Sequence, residues 1–225
     1  MMRVRDKFRI FLTQEDINVD LIYQTMTTKM SFLFFTPERN KEIGIMFEVI
    51  NNRGKALSEL EKIKNFFIYY ATVHERANLR NDINHKWSNI ILSLSEANRK
   101  SNEDENAFLR SCFVVFFDTS KEKSWNVYGE CKLVFEVNKY DDDYIHESVE
   151  TMRFFVDFLT CAARHHSWFF NANRFETAYK NEYKQELRAC LTYLRCQPAN
   201  ASIMPIYLSI MARLDVLFQV VRLLQ

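Results

Sequence analysis

The sequence predicts a mainly α protein, a helical array with one short strand, and three observations support this. Glycine and proline occur only three times each in 225 residues, too few for the many tight turns of sheet-rich folds. Apolar residues recur at steps of three and four along most of the chain, the spacing of one helical face. SFLFFTPE, ending at Pro37 and Glu38, combines aromatic residues with a run too short for a helix, so it reads as the best strand and nearly the only one.

The elements follow in order. MMRVRDKFRIFL alternates charged and apolar residues and suits either strand or helix. Thr13-Gln14-Glu15-Asp16 is placed to cap a short helix carrying Ile17, Leu21 and Ile22. After the strand, Ile43, Met46, Phe47 and Ile50 share one face of a helix over 39–50. Gly54 then supplies a left-handed corner. Ser58 and Glu61 have capping-box spacing, and Leu60, Ile63, Phe67, Tyr70 and Ala71 extend an apolar stripe beyond them.

Further helices are expected over 83–94 around Trp87, over 107–117 and over 124–137, separated by SEANRKSNEDEN and DTSKEK. The first of these polar runs sets the expected domain boundary, with 1–98 on one side and 99–225 on the other. A long helix over 148–171 carries Met152, Phe155, Val156, Leu159 and Ala163, with Asp141 to Asp143 as its solvated approach. Helices over 178–194 and 206–224 flank QPANASIMP, and the chain reads as a piece of something longer.

Composition restricts function. With 30 basic and 29 acidic residues the formal charge is +1, so no global field favours nucleic acid or an anionic membrane. Charged residues interrupt every long apolar run, such as Asp157 in FFVDFLTCAA, so no membrane span is expected. Five cysteines without a Cys-x-x-Cys pair suit reduced thiols and a cytoplasmic location.

Chemistry-bearing patterns are few. Cys161 and His165 share a helical face and His166 lies beside them, but without a second ligand pair the expectation is a buried thiol next to surface histidines, with no metal assigned. A Cys–His nucleophile lacks the glycines and the strand-to-helix elbow that an oxyanion site would use. Glycine-rich phosphate loops are absent from the sequence. The remaining candidate is the corner Asn51-Asn52-Arg53-Gly54-Lys55, where two cations flank a flexible residue just before a capped helix. Two readings stand: a phosphate-binding corner, or a plain helix–helix turn whose Arg53 and Lys55 are solvated.

At this corner the sequence resembles the N-terminal domain family of the GmrSD-type, modification-dependent restriction endonucleases, known as domain of unknown function 262. The matching positions are Phe47, Asn51, Arg53, Gly54, Leu57, Ser58, Glu61, Lys64 and Asn65. The similarity is clearest over 29–98 and looser through the helices that follow. It implies that the fold is the remnant of a ParB/sulfiredoxin-like α+β domain with attached helices. In complete members such a domain is linked to nucleotide hydrolysis, with a divalent cation, and to defence against modified foreign DNA.

Carried over, the resemblance places Asn51, Arg53 and Gly54 beside a nucleotide, with Lys55 added by its charge. Phe47, Leu57, Ser58 and Glu61 shape the motif, and Lys64 and Asn65 face the same pocket or serve as structural polar residues. The family's Asp-Gly-Gln-Gln-Arg stretch is missing, and the five histidines show no nuclease arrangement. No catalytic residue is therefore assigned. A partner chain or segment would supply the missing motif and a nuclease domain, and DNA would be reached only through the full system. The alternatives are a non-enzymatic helical interaction module that keeps the corner as a fold element and, behind it, direct DNA binding through the short, mixed-sign clusters RVRDKFR and RNKE.

Overall fold

A computed structural model of the chain describes residues 4–14, 17–31, 57–171, 184–197 and 200–223. The described residues are overwhelmingly helical, with no strand among them, so the protein is mainly α. The expected strand SFLFFTPE, past Ser31, lies outside the described residues, as do the helix over 39–50 and the corner from Asn51 to Lys55. The chain divides into two units, Met1–Glu38 and Arg39–Gln225.

In the first unit, α1 spans Val4–Leu12, with Asp6 in its first turn and Arg9 in its last, each suited to the helix dipole. The Thr13 hydroxyl donates to the Ile10 carbonyl at 2.9 Å, where the helix has ended. The acidic stretch does not provide the next cap. Asn18 does, its side chain accepting the Leu21 N–H at 2.9 Å, so Ile17 precedes α2 (Val19–Gln24). A π-turn over Thr25–Lys29 continues it. There the Thr27 and Thr28 hydroxyls donate to the Tyr23 and Gln24 carbonyls at 2.8 and 2.6 Å, drawing on the same acceptors as the helical ladder.

The second unit begins its described part with α3 (Glu59–Val73). Leu60, Ile63, Phe67, Tyr70 and Ala71 are all buried, as their spacing predicts, and no residue from Leu57 to His74 is exposed, so α3 is a central helix. Next come α4 (Ala77–Glu96), α5 (Asn102–Phe117), a 3₁₀ turn over Lys123–Asn126, α6 (Val127–Val134), α7 (Asp142–Phe170), α8 (Lys184–Arg195) and α9 (Asn200–Leu223). The core joins residues on both sides of position 98, from Leu60 in α3 to Leu208 in α9, because α3 packs on α5 and α6 as well as on α4.

A chain poor in glycine still has to end its helices. α3, α4 and α5 are followed by Glu75, Asn98 and Asp118 at φ of 55°, 58° and 47°, left-handed positions that glycine usually takes. The first two corners close when the Arg76 N–H reaches the Ala71 carbonyl at 2.7 Å and the Arg99 N–H reaches Leu94 at 3.0 Å. Gly129, in contrast, answers to space: a Cβ there would lie 2.3 Å from the Nδ2 of Asn126, whose side chain caps α6.

Several helices start earlier than the apolar spacing predicts. α5 begins at Asn102 inside the polar run, capped by Ser101, with Glu103, Asp104 and Glu105 in its first turn. α7 begins at Asp142, and Asp141 is its cap, accepting the Tyr144 N–H at 2.9 Å, so the aspartates are helix start and not approach. Carboxylates favour a helix N-terminus, which is why these polar runs become first turns. α9 begins at Asn200 and contains Pro205, which forgoes a single backbone hydrogen bond in the second turn.

The most extensive pairing is α4 against α7. Leu79, Ile83, Trp87, Ile90 and Leu94 line the buried side of α4. On α7, Phe155 is fully buried, with ring centroids at 5.0 Å from Phe116, 5.2 Å from Phe117, 6.3 Å from Phe67 and 6.4 Å from Phe113. Lys86 pins the pair further, 2.7 Å from Asp82 and 2.5 Å from Asp157. Burial pulls its ammonium down, yet the hydrogen bonds to Asp157 and Asp82 outweigh that and hold its pKa above the ordinary value.

Candidate functional site: the clasp at the start of α3

The described part of the predicted site is the first turn of α3. Ser58 adopts an extended conformation (φ −64°, ψ 158°) and is fully buried. Its hydroxyl oxygen accepts the Glu61 N–H at 3.1 Å, and the Glu61 carboxylate accepts the Ser58 N–H at 3.0 Å. The capping box expected from the spacing is therefore complete.

Two other helix starts close on it. The Ser58 hydroxyl donates to the Glu105 carboxylate in the first turn of α5. Asn106 accepts the Glu59 N–H at 2.7 Å through its side-chain oxygen. The Glu59 carboxylate accepts the Tyr128 N–H of α6 at 3.1 Å and lies 3.5 Å from the Lys62 ammonium. Ser58, Glu59, Glu61, Glu105 and Asn106 thus join the beginnings of α3, α5 and α6.

This changes what the corner can offer an anion. The N–H groups of Ser58, Glu59 and Glu61 are already given to protein oxygens, and three carboxylates surround the positive end of the α3 dipole. Asn51, Arg53, Gly54 and Lys55, the positions expected to hold a phosphate, lie outside the described residues. Of the remaining motif positions, Leu57, Lys64 and Asn65 are half-buried, and Phe47 lies outside the described residues.

Glu105, Asn106 and Tyr128 were not expected from the sequence. Their partners lie 47 and 69 positions away, and local spacing carries no signal for such pairings. Ser58→Ala removes the cap and leaves the Glu105 carboxylate without that donor. It is expected to lower stability by about 1–3 kcal/mol, read from chemical denaturation, while Ser58→Thr keeps the hydroxyl and recovers most of the loss.

The cysteine–histidine group on α7 is arranged opposite to expectation. Cys161 is only half-buried, whereas His165 and His166 are buried at 0% and 5% exposure. The stripe through Leu159 and Ala163 continues to His166, and the last turns of α7 are enclosed by neighbouring helices, so both imidazoles point inward. His166 lies between the rings of Phe108 and Phe170, at 5.2 and 4.8 Å. Arg99 covers Phe170 at 4.0 Å and pairs with Asp104 at 2.7 Å. The Tyr207 hydroxyl donates to the His165 carbonyl at 3.2 Å, tying α9 to α7.

Burial of His166, with the Arg99 charge adding and Asp104 opposing, lowers its pKa to about 3. That imidazole is neutral at physiological pH. Among the described residues no group of three or more His, Cys, Asp or Glu side chains is placed to hold a metal ion. No described helix is long and apolar enough to cross a membrane. No protein-family model matches the chain, and no curated protein or solved structure does either.

Proposed function

We propose that this chain is the nucleotide-sensing part of a modification-dependent restriction system, dependent on another segment for the missing Asp-Gly-Gln-Gln-Arg motif and for a nuclease. The support is the motif from Phe47 to Asn65 together with one structural observation. The helix that follows the corner is fixed at its first turn by Ser58, Glu61, Glu105 and Asn106. A helix start already held by these contacts, three residues beyond Lys55 in the sequence, limits the ordering that nucleotide binding would otherwise cost.

The test is calorimetric titration of a nucleoside triphosphate with Mg²⁺ into the chain mixed with a polypeptide carrying the missing motif. Binding is expected. Arg53→Ala should weaken it roughly 10- to 100-fold, the equivalent of one lost charge-assisted interaction of about 1.5–3 kcal/mol, and Asn51→Ala should weaken it less. Absence of binding in the mixture, or binding indifferent to Arg53, overturns the proposal.

A second reading, a non-enzymatic helical interaction module, is favoured by the apolar side chains that the first unit leaves exposed, Tyr23 at 68% among them. Under that reading the corner is architectural, and Arg53→Ala leaves partner binding unchanged.

A further inference from the structure

We propose that Cys112 and Cys161 form a peroxide-sensitive thiol pair whose oxidation joins α5 to α7 by a disulfide. Both are thiols in the structure. The two helices run antiparallel, and the ring contacts between them fix their register. Phe108 meets His166 at 5.2 Å and Phe116 meets Phe158 at 5.7 Å, so eight residues forward on α5 correspond to eight residues back on α7. Midway, Cys112 falls opposite Ala162, and Cys161 is the next residue on that turn. Cys112 and Ala162 are small and fully buried, and small opposing residues let helix axes approach toward the ~8 Å end of their usual range. A cross-helix disulfide needs such an approach, since its two Cα atoms lie about 4.4–6.8 Å apart. Burial, and then the Cys161 sulfur, push the Cys112 pKa well above its ordinary value, so the two sulfurs lie within electrostatic reach of each other.

Unequal burial gives the two thiols unequal roles. Cys161 is half-buried, and a guanidinium nitrogen of Arg164 lies 3.9 Å from its Sγ, a cation complementary to an attacking thiolate. That thiolate attacks one oxygen of hydrogen peroxide. An S–O bond forms, the O–O bond breaks, and the departing hydroxide takes the proton that Cys161 released, leaving as water. Cys112, fully buried, reacts only with a sulfur already beside it. Its sulfur attacks the Cys161 sulfenic acid, the S–S bond forms as the S–O bond breaks, and the Cys112 proton leaves with the hydroxide as a second water. Two thiols have then given two electrons to one peroxide. The bond ties α7 to α5, which carries Glu105 and Asn106 of the clasp. Neither cysteine belongs to the corner before α3, so the inference stands apart from nucleotide binding.

The experiment treats the full chain with hydrogen peroxide, alkylates the remaining thiols and digests it without reductant. Mass spectrometry is expected to find a peptide pair joined through Cys112 and Cys161 that dithiothreitol separates. The oxidised chain should melt roughly 5–15 °C above the reduced one, because the link closes a long loop in the unfolded state. Cys112→Ala, its fold checked by circular dichroism, should leave Cys161 as a sulfenic acid that dimedone traps, and Cys161→Ser should leave Cys112 unmodified. A Cys161 that stays reduced at peroxide levels oxidising the exposed Cys190 and Cys196 overturns the proposal. So does a Cys161 joined to a cysteine other than Cys112, or one trapped by dimedone as fully in wild type as in Cys112→Ala.

Discussion

Phe155→Ala is expected to destabilise the helical unit by about 3–5 kcal/mol, whereas Phe154→Ala, one position earlier, costs less than about 0.5 kcal/mol. The two phenylalanines differ only in the direction they leave α7. Phe155 is fully buried and Phe154 is 63% exposed, because successive residues on a helix are rotated by about 100°. The Phe155 ring touches Phe67 of α3 and Phe113, Phe116 and Phe117 of α5. Removing it opens a cavity where three helices meet, and close-packed aromatic neighbours collapse into such a space only in part. Thermal unfolding followed by circular dichroism checks both variants, at roughly 2–4 °C per kcal/mol for a unit of this size. Equal melting temperatures for the two would refute the placement of α7.

That contrast was legible in the sequence because the α7 stripe has an unbroken helical period. The same holds for the buried sides of α3 and α4, where Leu60, Ile63, Phe67, Ile83 and Trp87 fall where their spacing places them. Helix ends were less legible. Ser101 and Asp141 lie in polar runs that read as loops, yet they cap α5 and α7, since the residues that solvate a loop also satisfy the free N–H groups of a first turn. Pro205 marks a break in sequence and sits inside α9 in the structure. There it costs α9 one backbone hydrogen bond, and the helix continues through it.

The candidate site shows the same division. Its local half, the Ser58–Glu61 box, follows from a spacing of three residues. Its distant half, Glu105, Asn106 and Tyr128, depends on how α5 and α6 arrive at α3, and tertiary pairing decides that. Asn51, Arg53 and Gly54 lie outside the described residues, and the clasp fixes the helix that follows them in the sequence.

Acid should weaken this fold through His166, and the sign follows from its burial. In the unfolded chain the imidazole titrates near 6.5, while in the fold its pKa is lowered to about 3. Between those values the unfolded state binds a proton that the folded state refuses, so stability present above pH 6.5 is lost as pH falls toward 3. The slope is about 1.4 kcal/mol per pH unit, which amounts to a loss on the order of 2 kcal/mol by pH 5. Burial against Phe108 and Phe170 is the main cause. Arg99 contributes in the same direction, and Asp104 opposes it. His74, whose pKa is also lowered, chiefly by burial, adds a loss of the same sign, so the contribution of His166 is the difference between wild type and His166→Leu. The leucine variant removes the titrating group and the buried Nδ1, which has no hydrogen-bond partner among the described residues. Urea unfolding at pH 7 and pH 5 should show the variant gaining about 2 kcal/mol on wild type at the lower pH. Two parallel pH profiles would mean that the imidazole is not enclosed by α5 and α7 as described. Burial pushes the nearby Asp104 carboxyl up, but Arg99 and Ser101 hold it below its ordinary value of 3.8, so it titrates in stronger acid than the window from pH 6.5 to 5.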